Sequence, residues 1–173
     1  MSASTLHLIM GLPGAGKSTL ARIITELTDA TLLSSDDMRK ALFVKPCFSQ
    51  EEHDRLYGII DHNLEHLLEC GIDVVYDANL NRYIHRKEKY DFAKKHGANT
   101  VLWWVTTKKD LSKKRRVEEQ DAILLPKDET SEEMFDRIAD ILEEPTDSEN
   151  VIKIDGTDIQ KDTVQSLLRQ QTM

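Results

Sequence analysis

Apolar residues along the chain follow two alternating periods. Short, nearly continuous apolar runs recur, and between them apolar residues return every three or four positions. The first pattern reads as strand and the second as one face of a helix. A first strand is expected at about residues 5–10. A helix follows at about 17–28, carrying Leu20, Ile23, Ile24 and Leu27. A short second strand, Thr31-Leu32-Leu33-Ser34, precedes a helix opened by Asp36 and carrying Met38, Ala41, Leu42 and Phe43. Lys45-Pro46-Cys47-Phe48 breaks that helix. Ser49 and Glu52 form a capping box for a longer helix with Leu56, Ile60, Leu64, Leu67 and Leu68 on one face and Gly71 at its end. Ile72–Tyr76, finishing at Asp77, reads as a third strand, 82–96 as a helix, and Val101–Val105 as a fourth strand.

The segment from Lys108 to Asp128 differs, being dense in charge around one apolar cluster, Ala122–Leu125. Thr130 and Glu133 form a second capping box, before Met134, Phe135, Ile138, Ile141 and Leu142; Pro145 ends that helix. Val151–Ile154 is the fifth strand, and Thr157 with Gln160 caps a last helix carrying Val164, Leu167 and Leu168. Strands that are apolar on both faces, each joined to the next through a helix, imply a parallel sheet covered on both sides. In such sheets ligands bind at the carboxyl edge. The residues just after each strand are therefore the ones to inspect.

With 173 residues, 39% hydrophobic and 31% charged, the chain is expected to form a single domain, 1–173, with a core of its own. No apolar stretch approaches a membrane span, and no signal-peptide pattern is visible. Cys47 and Cys70 read as free thiols in a reducing compartment, so the expected location is cytoplasmic. A net charge of −8 argues against a broad nucleic-acid surface, although it leaves room for contact with a nucleic-acid end.

The first strand leads into Gly11-Leu12-Pro13-Gly14-Ala15-Gly16-Lys17-Ser18, a complete G-x-x-x-x-G-K-[ST] loop in its strand–loop–helix context. Its glycines let backbone N–H groups turn toward phosphate oxygens, and the helix N-terminus adds partial positive charge. Lys17 is expected on the β- and γ-phosphates and Ser18 on Mg²⁺. The second strand delivers Asp36, Asp37 and Arg39. Asp36 reads as a helix cap, a general base or a magnesium ligand. Arg39 reads as an anion contact or a solvated arginine. The third strand delivers Asp77, Asn79 and Arg82, which read as acceptor-site groups or turn chemistry. Asp77 also resembles the acid that P-loop enzymes place near the metal. In the basic run Lys113–Arg116, Arg115 and Arg116 are candidates to close over the nucleotide. His62 and His66 lack a third ligand, and Trp103 and Trp104 read as core.

The Gly11–Thr19 loop, the Ser35-Asp36-Asp37-Met38-Arg39 segment and the Asp77-Ala78-Asn79-Leu80-Asn81-Arg82 turn together resemble the polynucleotide-kinase and zeta-toxin-like branch of small P-loop kinases. The resemblance covers most of the chain. It implies a three-layer α/β P-loop fold, strand order 2-3-1-4-5, with a helical lid at about 108–130. It implies an ATP-dependent kinase acting with Mg²⁺ on a hydroxyl of a small metabolite or a nucleic-acid 5′ end. Gly11, Gly14, Ala15, Gly16, Lys17, Ser18, Thr19, Arg115 and Arg116 would hold the nucleotide, with Ser18 and Asp36 on the metal. Lys17, Asp36 and Arg116 would be catalytic, and Arg39, Asp77, Asn79 and Arg82 would line the acceptor site. Lid helices of this branch often carry two arginines a turn apart; here Arg115 and Arg116 are adjacent. Ser35 stands where the phage-type enzyme has arginine. The expected assembly is a monomer or small homo-oligomer without membrane association. A nucleotide-binding regulator or an NTPase without a separate acceptor is the alternative.

Overall fold

The computed structural model describes residues 3–119 and 125–171. Five strands and seven helices alternate among them: β1 (Thr5–Met10), α1 (Lys17–Thr28), β2 (Thr31–Ser34), α2 (Ser35–Leu42), α3 (Gln50–Glu69), β3 (Val74–Asp77), α4 (Tyr83–Lys95), β4 (Asn99–Thr106), α5 (Lys109–Glu118), α6 (Ser131–Asp140), β5 (Val151–Asp155) and α7 (Lys161–Gln171). The strands form one sheet, all parallel, in the expected order β2-β3-β1-β4-β5. Residues 122–124 of the apolar cluster in the charged segment lie outside the described residues.

The continuous apolar runs are explained by burial of both sheet faces. Leu6, Leu8 and Met10 of β1 join Leu56, Ile60, Leu64 and Leu68 of α3 on one side. Ile9 of the same strand joins Leu20, Ala21 and Ile24 of α1 and Val164 of α7 on the other. Trp103 is fully buried, and its indole N–H donates to Nδ1 of buried His7 at 3.2 Å. Burial pushes the His7 imidazole down to about 4, only partly opposed by Asp73, so it serves as a neutral acceptor. Both cysteines are free and exposed. Among the described residues no helix is long and apolar enough to cross a membrane.

Local chemistry departs from expectation at several places. Helix α2 begins at Ser35, and its cap is Ser34, whose side chain accepts from the Asp37 amide. Asp36 is thereby released from capping. Ser49 caps α3, but Glu52 does not return to it: the Glu52 carboxylate is drawn to Arg39 and to the Cys47 amide. The third strand starts at Val74 because the Ile72 and Gly71 amides close onto Leu67 and Leu68, a Schellman end to α3. Thr157 does not cap α7. Exposed Asp155 takes both the Thr157 amide and hydroxyl, at 2.8 and 2.7 Å, and the helix starts at Lys161. Helix α6 also stops earlier than expected, at Asp140, leaving Ile141 outside it.

A buried ion pair ties the turn after β3 to the segment before β5. Arg86 of α4 is fully buried and pairs with Glu149 at 2.7 Å. It also donates to the carbonyls of Leu80 and Glu143 at 3.1 Å each. Removing one partner of such a pair leaves an uncompensated buried charge, at a cost of about 3–5 kcal/mol. Arg86→Ala is therefore expected to lower the melting temperature by about 10 °C, followed by far-ultraviolet circular dichroism. A shift below about 2 °C would show that the pair does not hold these segments together.

Candidate functional site

The carboxyl edge of the sheet opens into a cleft of about 1130 Å³. It exceeds the roughly 300–1,000 Å³ of ordinary single-ligand sites. Strand register decides what meets there. Ile9 pairs with Asp77 across β1 and β3, and Ser34 pairs with Asp77 across β2 and β3. The loop after β1, the turn after β3 and the first turn of α2 therefore emerge side by side.

The loop from Gly11 to Gly16 is fixed at both ends. The Gly11 amide donates to Asn81 Oδ1 at 3.2 Å, and Thr107 Oγ1 donates to the Ala15 carbonyl at 2.8 Å. Gly14 has φ +76°, and a Cβ there would stand 2.3 Å from the Ser112 carbonyl. The loop and α5 can be in contact only with glycine at 14. Gly156 is needed for the same reason from the other side, since its Cβ would fall 2.0 Å from the Ala15 carbonyl. Gly14, Gly16, Lys17, Ser18 and Thr19 line the cleft. Gly11 and Ala15 are buried behind it, and the Ala15 amide closes onto the Leu12 carbonyl.

Lys17 Nζ donates to the Leu12 carbonyl at 3.0 Å. Burial pushes its ammonium below the ordinary lysine value, against the pull of Asp77, Asp36 and Glu119. Ser18 Oγ donates to Asp77 Oδ2 at 2.8 Å. That bond places Asp77 beside the loop hydroxyl rather than with the outer acceptor groups. Asp36 is open to water within the cleft, yet the surrounding protein displaces enough solvent to raise its carboxyl above the usual range. Desolvation is the main cause, the charge of Asp77 adds to it, and Lys17, Arg116 and Lys40 oppose it. Ser18, Asp77 and Asp36 thus supply hard oxygen donors next to a phosphate-shaped backbone cradle, a donor set that fits Mg²⁺.

Arg115 and Arg116 both reach the cleft despite being adjacent. Arg115 Nη1 donates to the Gly156 carbonyl at 3.1 Å, and Arg116 pairs with Glu119 at 2.9 Å. Arg116 Nε is buried without a hydrogen-bond partner among the described residues. Arg39 and Asn79 line the cleft, but Arg39 is already ion-paired to Glu52 and its guanidinium lies over the Phe48 ring. Arg82 sits at the N-cap of α4, exposed and outside the cleft lining. Three aromatic rings also line the cleft, those of Phe48, His53 and Tyr57. Sequence reasoning missed these, together with Asn81, Thr107 and Gly156. The dense hydrogen-bonding turn 77–82 was the one signal for Asn81. His62 and His66 join no metal-ligating cluster among the described residues.

Several solved structures share this fold. A provisionally designated kinase from Chloroflexus aurantiacus superposes with TM-score 0.78 at 15% identity, over 98% of each chain. The APS kinase CysC of Mycobacterium tuberculosis, in complex with AMPPNP and APS, gives 0.68 at 16% identity over 100% of each chain. A chain of the Pnkp1/Rnl/Hen1 complex gives 0.61 at 22% identity, over 66% of this chain and 40% of that one. No curated protein sequence matches the chain. A family model described as AAA domain matches residues 6–145. The P-loop, the parallel sheet order and this match agree, and the chain belongs to that AAA-domain family of P-loop proteins.

Proposed function

We propose that the protein is an ATP-dependent phosphotransferase acting on a hydroxyl group. The observation that carries this reading is the place of Asp36, a carboxylate that lines the same cleft as Lys17 and Arg116, within reach of their charges. A protein that only bound nucleotide would need the loop but not this group. The kinases among the structural neighbours support the same class of reaction. ATP would lie on the loop with its γ-phosphate between Lys17 and Arg116, and the triphosphate would offset the desolvation of Lys17. Ser18 and Asp77 would hold Mg²⁺, with Asp36 reaching it only through water, and the ion would neutralise charge on the phosphates when bound.

Asp36 orients the acceptor hydroxyl and takes its proton. The hydroxyl oxygen bonds to the γ-phosphorus as the bond from that phosphorus to the β–γ bridging oxygen breaks, and ADP leaves. Lys17 and Arg116 stabilise the charge on the transferring group. Positioning by the fixed loop and these charges supplies the catalysis. Arg115, held on Gly156, closes the nucleotide half, and Arg39 and Asn79 border the acceptor half. The single chain 1–173 would act as one kinase domain, with α5 as the inner part of the lid.

Three outcomes test this reading. Lys17→Ala should abolish transfer from γ-labelled ATP and weaken nucleotide binding in calorimetry; wild-type turnover would refute the assignment of the loop. Asp36→Asn should keep nucleotide affinity within about threefold and lower turnover by about 10²–10⁴. An unchanged turnover would return Asp36 to a structural role.

The raised Asp36 carboxyl sets the sign of a third outcome. The folded protein binds the Asp36 proton more tightly than the unfolded chain, whose value is about 3.9. Stability therefore falls as pH rises from that value through the higher folded one. Asp36→Asn should consequently melt above the native protein at pH 7, with the difference shrinking as pH approaches about 4. A destabilised variant at pH 7 would contradict the desolvation described for Asp36.

A further inference from the structure

The half of the cleft around Asp36 differs in chemistry from the half around the loop. Its wall is built from Phe48, from His53 and Tyr57 on α3, and from Arg39 on α2. The His53 and Tyr57 rings lie 4.3 Å apart between centroids. Phe48 adopts φ +57°, a left-handed conformation that a bulky side chain takes only at a cost in free energy. The conformation sets its ring beneath the Arg39 guanidinium, 4.5 Å from the centroid. Strain of this kind persists where the surrounding structure holds it, and here it holds an aromatic face at the cleft.

The charges of this wall are already matched. Arg39 and Glu52 form an ion pair whose side chains are only 8% and 4% exposed. Glu52 also accepts the Cys47 amide at 2.6 Å. Burial raises the Glu52 carboxyl, but the Cys47 amide and Arg39 outweigh it and hold the group below its usual range, so the pair stays ionised. Burial, with Arg39 beside it, pushes the His53 imidazole down and keeps it neutral near pH 7. Tyr57 is pushed up by burial, against hydrogen bonds from Ser35 and the Asn79 backbone, and also stays neutral. Arg137, at the rim, is held by Glu129 through two bonds at 2.7 and 2.8 Å. Among the described residues that line this half, the charge left without an ion-pair partner is the carboxylate of Asp36, with Asp77 of like sign next to it. An anionic acceptor would bring like charge beside it and find Arg39 engaged. An uncharged ring would stack on the aromatic wall and present its hydroxyl to Asp36.

Resting on the reading of Asp36 as the acceptor base, we infer that the acceptor is an uncharged, ring-bearing alcohol. A nucleoside and a cyclic sugar share this chemistry, an uncharged ring that can lie against an aromatic face next to a free hydroxyl. Phosphorylated or carboxylated alcohols and 5′-hydroxyl oligonucleotides do not.

The test is equilibrium binding to the full chain loaded with AMPPNP and Mg²⁺. The probes are uridine, adenosine, ribose and glucose, set against uridine 3′-monophosphate, gluconate and a 5′-hydroxyl dinucleotide. At least one neutral compound should bind about tenfold or more tighter than its anionic counterpart. The nucleoside and sugar arms separate the two sources. Phe48→Ala should weaken that binding about tenfold and leave AMPPNP affinity unchanged. Glu52→Gln, which releases the Arg39 charge, should move the preference toward the anions by about tenfold; if it does not fold, Phe48→Ala decides. Anions binding as tightly as the neutral compounds, or no compound binding, overturns the inference. A neutral compound that binds with this preference but receives no phosphate from ATP supports the cleft's selection of an uncharged ring and refutes the kinase reading instead.

Discussion

The pairing of β3 with both β1 and β2 is the constraint on which the cleft depends. Ile9 and Ser34 each lie opposite Asp77, so three strand ends finish level and hand their chains to one edge. Two side-chain bonds then lock the phosphate-type loop to the turn after β3: Ser18 to Asp77, and the Gly11 amide to Asn81. A slip of one residue in β3 would turn Asp77 to the opposite face and break both bonds. The turn carrying Asp77 and Asn81 is held from behind. Arg86 grips the Leu80 carbonyl, and the Glu143 amide donates to the Asn81 carbonyl at 2.7 Å. The ion pair of Arg86 with Glu149 is thus connected, through one turn, to the glycine that opens the loop.

Unfavourable terms concentrate at this edge. Asp36 carries a carboxyl made harder to ionise, and Lys17 an ammonium made easier to discharge. Arg116 keeps a buried N–H without a partner among the described residues, and Phe48 is held in a left-handed conformation. Elsewhere in the sheet such terms are fewer: His7 is neutral and bonded to Trp103, and the buried Tyr76 hydroxyl has no hydrogen-bond partner among the described residues. Local conflicts that the rest of a structure tolerates are expected at working sites. Their convergence on one cleft is independent of any motif.

The part of the structure legible in the sequence is set by the range of each interaction. Strand and helix periods are local, and so is the loop motif; the elements and the sheet they build stand close to expectation. Capping was legible only in part, because caps compete. Ser34 takes the role open to Asp36, and Asp155 captures Thr157. The pairs that define the site span long separations: Ser18 with Asp77, Gly11 with Asn81, Thr107 with Ala15. No spacing in the sequence announces such partners. Glu52 illustrates the difficulty: its position three residues after Ser49 spells a capping box, yet the fold offers it a buried arginine, and the charge pair wins.

Two of the arginine–carboxylate pairs at the cleft, those of Arg116 and Arg39, differ in one respect that separates its halves. The Arg116 side chain is 9% exposed, but that of its partner Glu119 is 56% exposed, at the C-cap of α5. Water can take over Glu119 when it leaves, so a multiply charged phosphate can replace it on Arg116 at small cost. Arg39 and Glu52 are both buried, and parting them would strand a carboxylate that already bonds the Cys47 amide. The exchangeable cation therefore lies on the α5 side, with Lys17 and the loop. The fixed one lies beside Phe48, Tyr57 and His53. A cleft built in this way accepts negative charge at one end and resists it at the other. In the proposed reaction, that asymmetry would keep a triphosphate and an uncharged alcohol in defined places, so that Asp36 would meet the hydroxyl rather than a phosphate oxygen.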